Sequence, residues 1–249
     1  MSAAALISTT SFSERVTLLL EKVDYRRADS EAEKEAIYRL RYDAYLREGS
    51  LLPNFSKRLI DEFDGLPNAW LYGVFVDERL SGSLRLHVST REHPTMPAAQ
   101  VFPDFLGPTL ATGSTVIDPT RFVADAVCAR TCPELPYVTL RLAYMAAEYF
   151  EADHVLATVR SEHQAFYRRV FGHRAVCAPR PYLTLTKPLS LMTLHYPAAR
   201  DRILDRYPFF HSTLFERRML FERGPLPQRS PAKPEPAWPI AVSNEAMGR

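Results

Sequence analysis

Arg41 lies near the C-terminal turn of an amphipathic stretch, Arg85 stands between Leu84 and Leu86 in an alternating run, and Asp118 precedes Arg121 by three residues. Asp61 and Asp64 fall between them in Asp61-Glu-Phe-Asp64. A carboxylate can draw a proton from an ammonium group, and an arginine fork can take a carboxylate in a bidentate grip that lysine does not copy. Singly, each residue has a plainer reading. Arg85 alternates with leucines and could simply face solvent, although arginine is rarely buried without a partner, and an Asp-x-x-Asp loop is more often solvated. Only their convergence would make a site.

Other chemistries are poorly served. His87, His93, His154, His163 and His173 offer no H-x-x-x-H or H-E-x-x-H spacing, so no catalytic metal is expected. Cys128, Cys132 and Cys177 are odd in number and include no C-x-x-C pair, which predicts reduced thiols. With 31 basic and 29 acidic residues spread along the chain, the balance is not that of a nucleic-acid binder. No apolar run approaches the ~20 residues of a membrane helix, and the apolar stretch Val16–Leu20 is too brief and too closely followed by Glu21 and Lys22 for a secretory signal, so cytoplasmic residence is expected.

Mixed α/β elements position these residues. Residues 1–22 read as a leader that docks a short helix, 23–190 as one domain, and 191–249 as an extension with a proline-rich tail expected to lack regular structure over 224–239. Within the domain, Val23–Arg27 can open a sheet, and Ser30 with Glu33 forms a capping box for a helix over 31–48 that stops at Gly49. Residues 69–76 and 80–88 form a β-hairpin. The prolines of 89–113 predict a long irregular loop, and Pro119 predicts a bulge between strand segments 114–117 and 121–123. A helix over 135–150, a buried strand over 154–159, a helix from Ser161 to Phe171 and last strands within 173–187 complete a central sheet with helices around it. The apolar-and-arginine stretch 209–223 is expected to pack on the core, with a cover for a substrate tunnel or a peripheral membrane contact as alternatives.

Taken together, four segments resemble the acyl-homoserine lactone (autoinducer) synthases: Arg41-Tyr-Asp-Ala-Tyr45, Asp61-Glu-Phe-Asp64, Gly82-Ser-Leu-Arg85-Leu86 and Asp118-Pro-Thr-Arg121-Phe122. The helix Tyr38-Arg-Leu-Arg-Tyr-Asp-Ala-Tyr-Leu-Arg-Glu-Gly49 is more similar to the related N-acyl amino acid synthases. Two departures weigh against S-adenosylmethionine as acceptor: Leu51-Leu-Pro-Asn-Phe55 stands where the lactone synthases carry a tryptophan, and Asp118 replaces their glutamate.

The resemblance implies a GNAT-like acyl-CoA N-acyltransferase fold, with a slot between two central strands and an N-acyltransferase activity moving a fatty acyl group from a thioester to an amino acid. Lactone synthesis or a non-catalytic acyl-binding role are the alternatives. By carry-over Asp118 draws the amine proton through a water, given its short reach, Arg41, Tyr45, Asp61, Asp64, Arg85, Arg121 and Phe122 shape the acceptor site, and Tyr167 protonates the leaving thiolate unless it merely packs. The glycine-rich loop that grips coenzyme A is absent from Cys128-Ala-Arg-Thr-Cys-Pro-Glu-Leu135, which makes acyl carrier protein the expected donor, with acyl-CoA the other, and no bound cofactor. A carrier protein is acidic, so Arg130, Arg141, Arg168 and Arg169 are docking candidates.

Overall fold

The computed structural model describes residues 10–223. Seven strands form one mixed sheet in the order β1-β2-β3-β4-β5-β7-β6: β1 Val23–Arg27, β2 Ala69–Val76, β3 Arg79–Ser89, β4 Val116–Ala124, β5 His154–Val159, β6 Arg174–Ala175 and β7 Ser190–His195. All pairings are antiparallel except β4 with β5, which α6 (Leu135–Tyr149) connects as a crossover. Period-two alternation sorts the faces. Trp70, Tyr72, Val74, Leu84, Leu86, Val88 and Ile117 join the core that encloses α6, while Leu71 packs with Ile37 and Tyr38 of α2 (Glu31–Arg47) on the other side. Arg85 and His87 share that second face, so the alternation buries them under α2 rather than exposing them.

Helix ends follow their local chemistry. Ser30 and Glu33 close the capping box of α2, and Gly49, at φ +62°, supplies the left-handed residue that ends it. α1 (Phe12–Leu20) is capped the same way by Ser11 and Glu14, and it buries Val16 completely. The β2–β3 turn needs only Asp77 and Glu78, both at positive φ, as a tight two-residue hairpin requires.

Three expectations are corrected. The segment 89–113 is not an irregular loop, because Pro97 and Pro103 occupy first-turn positions where a missing N–H costs nothing and start α3 (Pro97–Val101) and α4 (Pro103–Ala111). The bulge lies at Arg121–Phe122, not at Pro119, which pairs in register with Leu86. Ser161 does not cap a continuous helix: a 3₁₀ turn over Ser161–His163 precedes α7 (Gln164–Val170). The short helix α5 (Cys128–Thr131) precedes α6.

Only the two-residue β6 falls within 173–187; the last strand lies at Ser190–His195, and beyond residue 190 the chain continues the same fold. β7 inserts between β5 and β6, α8 (Tyr196–Arg206) follows, and Phe209, Phe210 and Phe221 of the segment reaching α9 (Leu214–Phe221) are buried in the α6 core. Stretch 209–223 therefore packs on the core. The proline-rich stretch 224–239 lies outside the described residues. Among those described, no helix is long and apolar enough to cross a membrane.

Arg141 belongs to this packing and not to a docking face. Its guanidinium is buried, donates to the Phe209 carbonyl at 2.8 Å and the His211 carbonyl at 2.6 Å, and pairs with Glu216 at 2.5 Å. Arg141→Ala would leave two carbonyls and a carboxylate without their partner, and we expect it to cost about 3–4 kcal/mol in urea denaturation. Arg168→Ala and Arg169→Ala, at exposed positions, should stay within about 0.5 kcal/mol of the parent.

Candidate active site

Five of the expected site residues converge on the face of the sheet under α2. Asp61 caps a one-turn 3₁₀ helix (Glu62–Gly65), accepting from the Phe63 N–H, while Asp64 Oδ2 accepts from the Asp61 N–H, so the Asp-x-x-Asp spacing is a reciprocal cap. That cap aims both carboxylates at arginines from three other elements. Arg41 Nη1 reaches Asp64 at 2.7 Å, Arg85 Nη1 reaches Asp61 at 2.5 Å and Asp64 at 2.9 Å, and Arg121 Nη2 reaches Asp61 at 2.6 Å. Arg85 Nε also donates to Thr120 Oγ1. The Arg41, Asp64 and Arg85 side chains are at most 2% exposed.

Burial disfavours the charge on Asp61, but hydrogen bonds and charge from Arg85 and Arg121 outweigh it and hold this carboxyl well below its ordinary range. Asp64 is lowered likewise, with burial opposed by Arg41 and Arg85. Burial pulls Arg41 down, and Asp64 offsets part of that. Arg121 is raised despite its burial, by Tyr45 and Asp61. Several valences remain open: Arg41 Nε and Nη2 and Arg121 Nη1 are buried without a hydrogen-bond partner.

Beside this network the sheet opens. β4 and β5 pair only at Val116–His154 and Ile117–Val155, and then part. Pro119 stands just beyond the parting and has no N–H to continue a ladder. Two residues further, Arg121 at φ +53° carries the bulge, where Arg121 and Phe122 stand opposite Leu84 without ladder partners. The parting leaves a cleft of about 420 Å³, with Pro119–Ala124 on one wall and Leu156–Arg160 on the other. Tyr45, Arg121, Phe122 and Tyr167 line it, with Leu140 of α6 at the apolar end and Glu48, Arg160 and Lys187 at the polar end. Arg160 is paired to Glu48 at 3.0 Å.

Asp118 sits apart. It is fully buried opposite His87 and outside the cleft lining; Oδ2 accepts from the Ala98 N–H, and Oδ1 has no partner. Burial pushes it up to about 6, against a lowering by Ala98 and Arg85. Burial and Arg85 pull His87 down to about 3, so its imidazole is neutral and Nε2–H donates to the Phe63 carbonyl. Tyr167 is buried, and burial followed by nearby Tyr45 raises its phenol. Arg130, Arg168 and Arg169 are exposed on α5 and α7, the helices flanking the Pro136, Phe166 and Tyr167 wall. Sequence reasoning missed Thr120, which lay inside a quoted motif and accepts from Arg85 Nε at the cleft wall. No group of three or more His, Cys, Asp or Glu side chains that could hold a metal occurs among the described residues.

The Asp118 environment makes a prediction about stability. Its folded value near 6 exceeds the ordinary 3.8, so between those pH values the folded state holds more protons than the unfolded state, and stability falls as pH rises. The loss through pH 4–6 should total about 3 kcal/mol at 1.36 kcal/mol per unit. Asp118→Asn should abolish this component and be the more stable protein at pH 7, as chemical denaturation at a series of pH values will read.

Comparison with known proteins identifies the family and the fold. The family model for the N-acyl amino acid synthase FeeM matches residues 36–195, more than half of the chain. No curated protein sequence matches. Among solved structures, FeeM, an N-acyl amino acid synthase from uncultured soil microbes, superposes with a TM-score of 0.63 at 19% identity, covering 74% of this chain and 96% of that one. TofI, solved in a ternary complex with an inhibitor and MTA, gives 0.55 at 18% identity over 76% and 100% of the two chains. BjaI, a CoA-dependent acyl-homoserine lactone synthase solved with MTA, gives 0.53 at 16% identity over 75% and 89%. At such identities the structural likeness is one of fold, and the family rests on the model match: this chain belongs to the FeeM family of N-acyl amino acid synthases, and is an acyltransferase of GNAT-like fold acting on an amine.

Proposed function

We propose that this enzyme moves a fatty acyl group from an acyl carrier protein thioester, or from acyl-CoA, onto the amine of an amino acid. The observation that carries the reading is the meeting of the arginine–aspartate network with the split between β4 and β5, which brings Arg121, with one guanidinium nitrogen unbonded, to the wall of a largely apolar cleft. Three arginines face two aspartates, a surplus of positive charge that suits an acceptor carrying a carboxylate. The acyl chain lies in the cleft beside Leu140 and Leu156, with its carbonyl carbon at the bulge. Backbone N–H groups at the bulge, where Arg121 and Phe122 stand without register partners, are the oxyanion donors.

In the same reading Asp118 receives the first proton of the ammonium, and Tyr167, kept protonated by its burial, gives a proton to the departing thiolate. Arg41, Asp61, Asp64 and Arg85 hold Arg121 in place, and Tyr45 and Phe122 wall the acceptor. Exposed Arg130, Arg168 and Arg169 receive the acidic carrier, an encounter that salt should weaken.

Mass spectrometry of lipids from a heterologous host expressing the chain should reveal N-acyl amino acids; acyl-homoserine lactones and no N-acyl amino acids would refute the acceptor assignment. Arg121→Lys, which loses the fork, should lower kcat/KM by roughly 100-fold, in line with a lost charge-assisted bidentate contact. With purified donors, the Arg168→Glu/Arg169→Glu protein should raise KM for acyl carrier protein about tenfold more than KM for acyl-CoA, through reversed docking charge.

A further inference from the structure

Eight large apolar side chains stand exposed among the described residues, and three of them, Leu52, Phe55 and Ile60, fall within residues 52–60, between α2 and the Asp61 cap. Exposed apolar groups gathered in this way mark an interaction surface more often than chance. Phe55 is 109% exposed and Leu52 72%, so the ring of Phe55 is shielded by nothing in the fold. The display is built. Lys57, at φ +50°, donates its N–H to the Asn54 carbonyl and closes a turn with Phe55 at its tip, braced by Asn54 Nδ2 on the Arg58 carbonyl and by the Ser56 hydroxyl on Asn54 Oδ1. Both ends are tied to α2, where the Tyr42 hydroxyl accepts from the Asn54 N–H and the Tyr38 carbonyl from the N–H of buried Leu59.

The turn borders the cleft. Glu48 and Ser50, just before it in the chain, line the polar end, and the connection that leads into β7 is fastened to them: the Thr186 N–H donates to the Ser50 carbonyl at 3.2 Å and Lys187 Nζ to the Glu48 carbonyl at 2.8 Å. Charge selects the partner. No acidic residue occurs from Gly49 to Ile60, and Lys57 pairs with no acid among the described residues. A second copy meeting this one turn to turn would gather like charges. The other exposed apolar group, Leu214, Phe215 and Met219 on α9, lacks both features: Arg218 beside it is paired with Glu222 at 2.9 Å, and no residue of α9 lines the cleft.

We propose that the turn Asn54–Lys57 seats in an anionic lipid surface, with Leu52 and Phe55 entering the acyl region and Lys57 among the headgroups. The polar end of the cleft then opens onto the bilayer. The seat needs only the turn; its purpose rests on the reading of the product as a fatty acyl amide. A fatty chain leaving the cleft at that end passes directly into lipid, and avoids a transfer to water that disfavours release by about fourfold per methylene.

The test is flotation of the full-length protein, without substrates, with vesicles of phosphatidylglycerol and phosphatidylcholine in equal parts. We expect the parent to float with them, and about fivefold more weakly with phosphatidylcholine alone. Leu52→Ser/Phe55→Ser should lower the partition coefficient about tenfold or more, and Lys57→Glu about fivefold on the anionic vesicles. Phe215→Ser/Met219→Ser on α9 should stay within about twofold of the parent. A parent that stays at the bottom of the gradient, a turn variant that floats as well as the parent, or a loss confined to the α9 variant overturns the proposal. Equal flotation with both lipid compositions overturns the choice of an anionic surface. A parental dimer that Leu52→Ser/Phe55→Ser dissolves, with no vesicle binding by either protein, gives the turn to a second copy instead. Should that variant fail to fold, Phe55→Trp decides: its added emission shifts to the blue on the anionic vesicles if the turn enters lipid, and an unshifted emission overturns the seat. A parent that floats but yields no N-acyl amino acid would refute the proposed reaction and leave the lipid seat standing.

Discussion

Burying three guanidinium groups against two carboxylates is the constraint around which the rest of this fold is arranged. Desolvating such groups costs several kcal/mol per ion, and the mutual attraction returns it only when the geometry is close and the hydrogen bonds are made. Here Arg85 meets both aspartates, and the aspartates are fixed by the reciprocal cap of a single 3₁₀ turn. An apolar core of the same volume would be about as stable. What it would not do is hold Arg121, at a left-handed φ that costs a β-carbon residue about 1 kcal/mol, with its side chain clamped to Asp61 and one nitrogen left open.

That clamp and the parting of the sheet are one feature seen from two sides. β4 can bulge at Arg121 because its far edge has already lost β5, and it has lost β5 from the point where Pro119 interrupts the supply of amide hydrogens. α6 then packs beneath the gap with almost all of its apolar side chains buried. The opening is therefore a cleft with a floor and not a weakness that lets the two half-sheets separate. The C-terminal segment stiffens the same floor: Arg141 reaches from α6 to the Phe209 and His211 carbonyls, and Phe209, Phe210 and Phe221 fill the far side of the helix.

Much of this was legible in the residues themselves, and the parts that were not have physical causes. The α2 capping box, the hairpin and the parallel β4–α6–β5 unit follow from spacing that local chemistry alone enforces. The network was visible because charge inside an alternating apolar strand is expensive: Arg85 between two leucines had to be exposed or paired, and Asp61 and Asp64 were the carboxylates that could also serve Arg41 and Arg121. Helices α3 and α4 were misread because proline signals a break everywhere except at the first helical turn, and Pro97 and Pro103 occupy that exception. Arg141 could not be distinguished from surface arginines, since its partners lie about 70 residues away in the chain.

The position of Asp118 also bears on how the proposed reaction starts. With a zwitterionic amino acid in place, three arginines and one ammonium face Asp61, Asp64, Asp118 and the acceptor carboxylate, and the region is close to neutral. Passing the ammonium proton to Asp118 leaves that sum unchanged, so what the transfer supplies is a neutral amine with its lone pair free and not a new net field. An aspartate exposed to water would be protonated too rarely, and one paired directly with an arginine would be too weak a base to accept the proton at all. Burial without an ion-pair partner, which brings Asp118 to about 6, gives a group that is mostly charged before the transfer and still able to be neutralised by it. The separation of Asp118 from the salt-bridge network is what leaves it basic enough for that role.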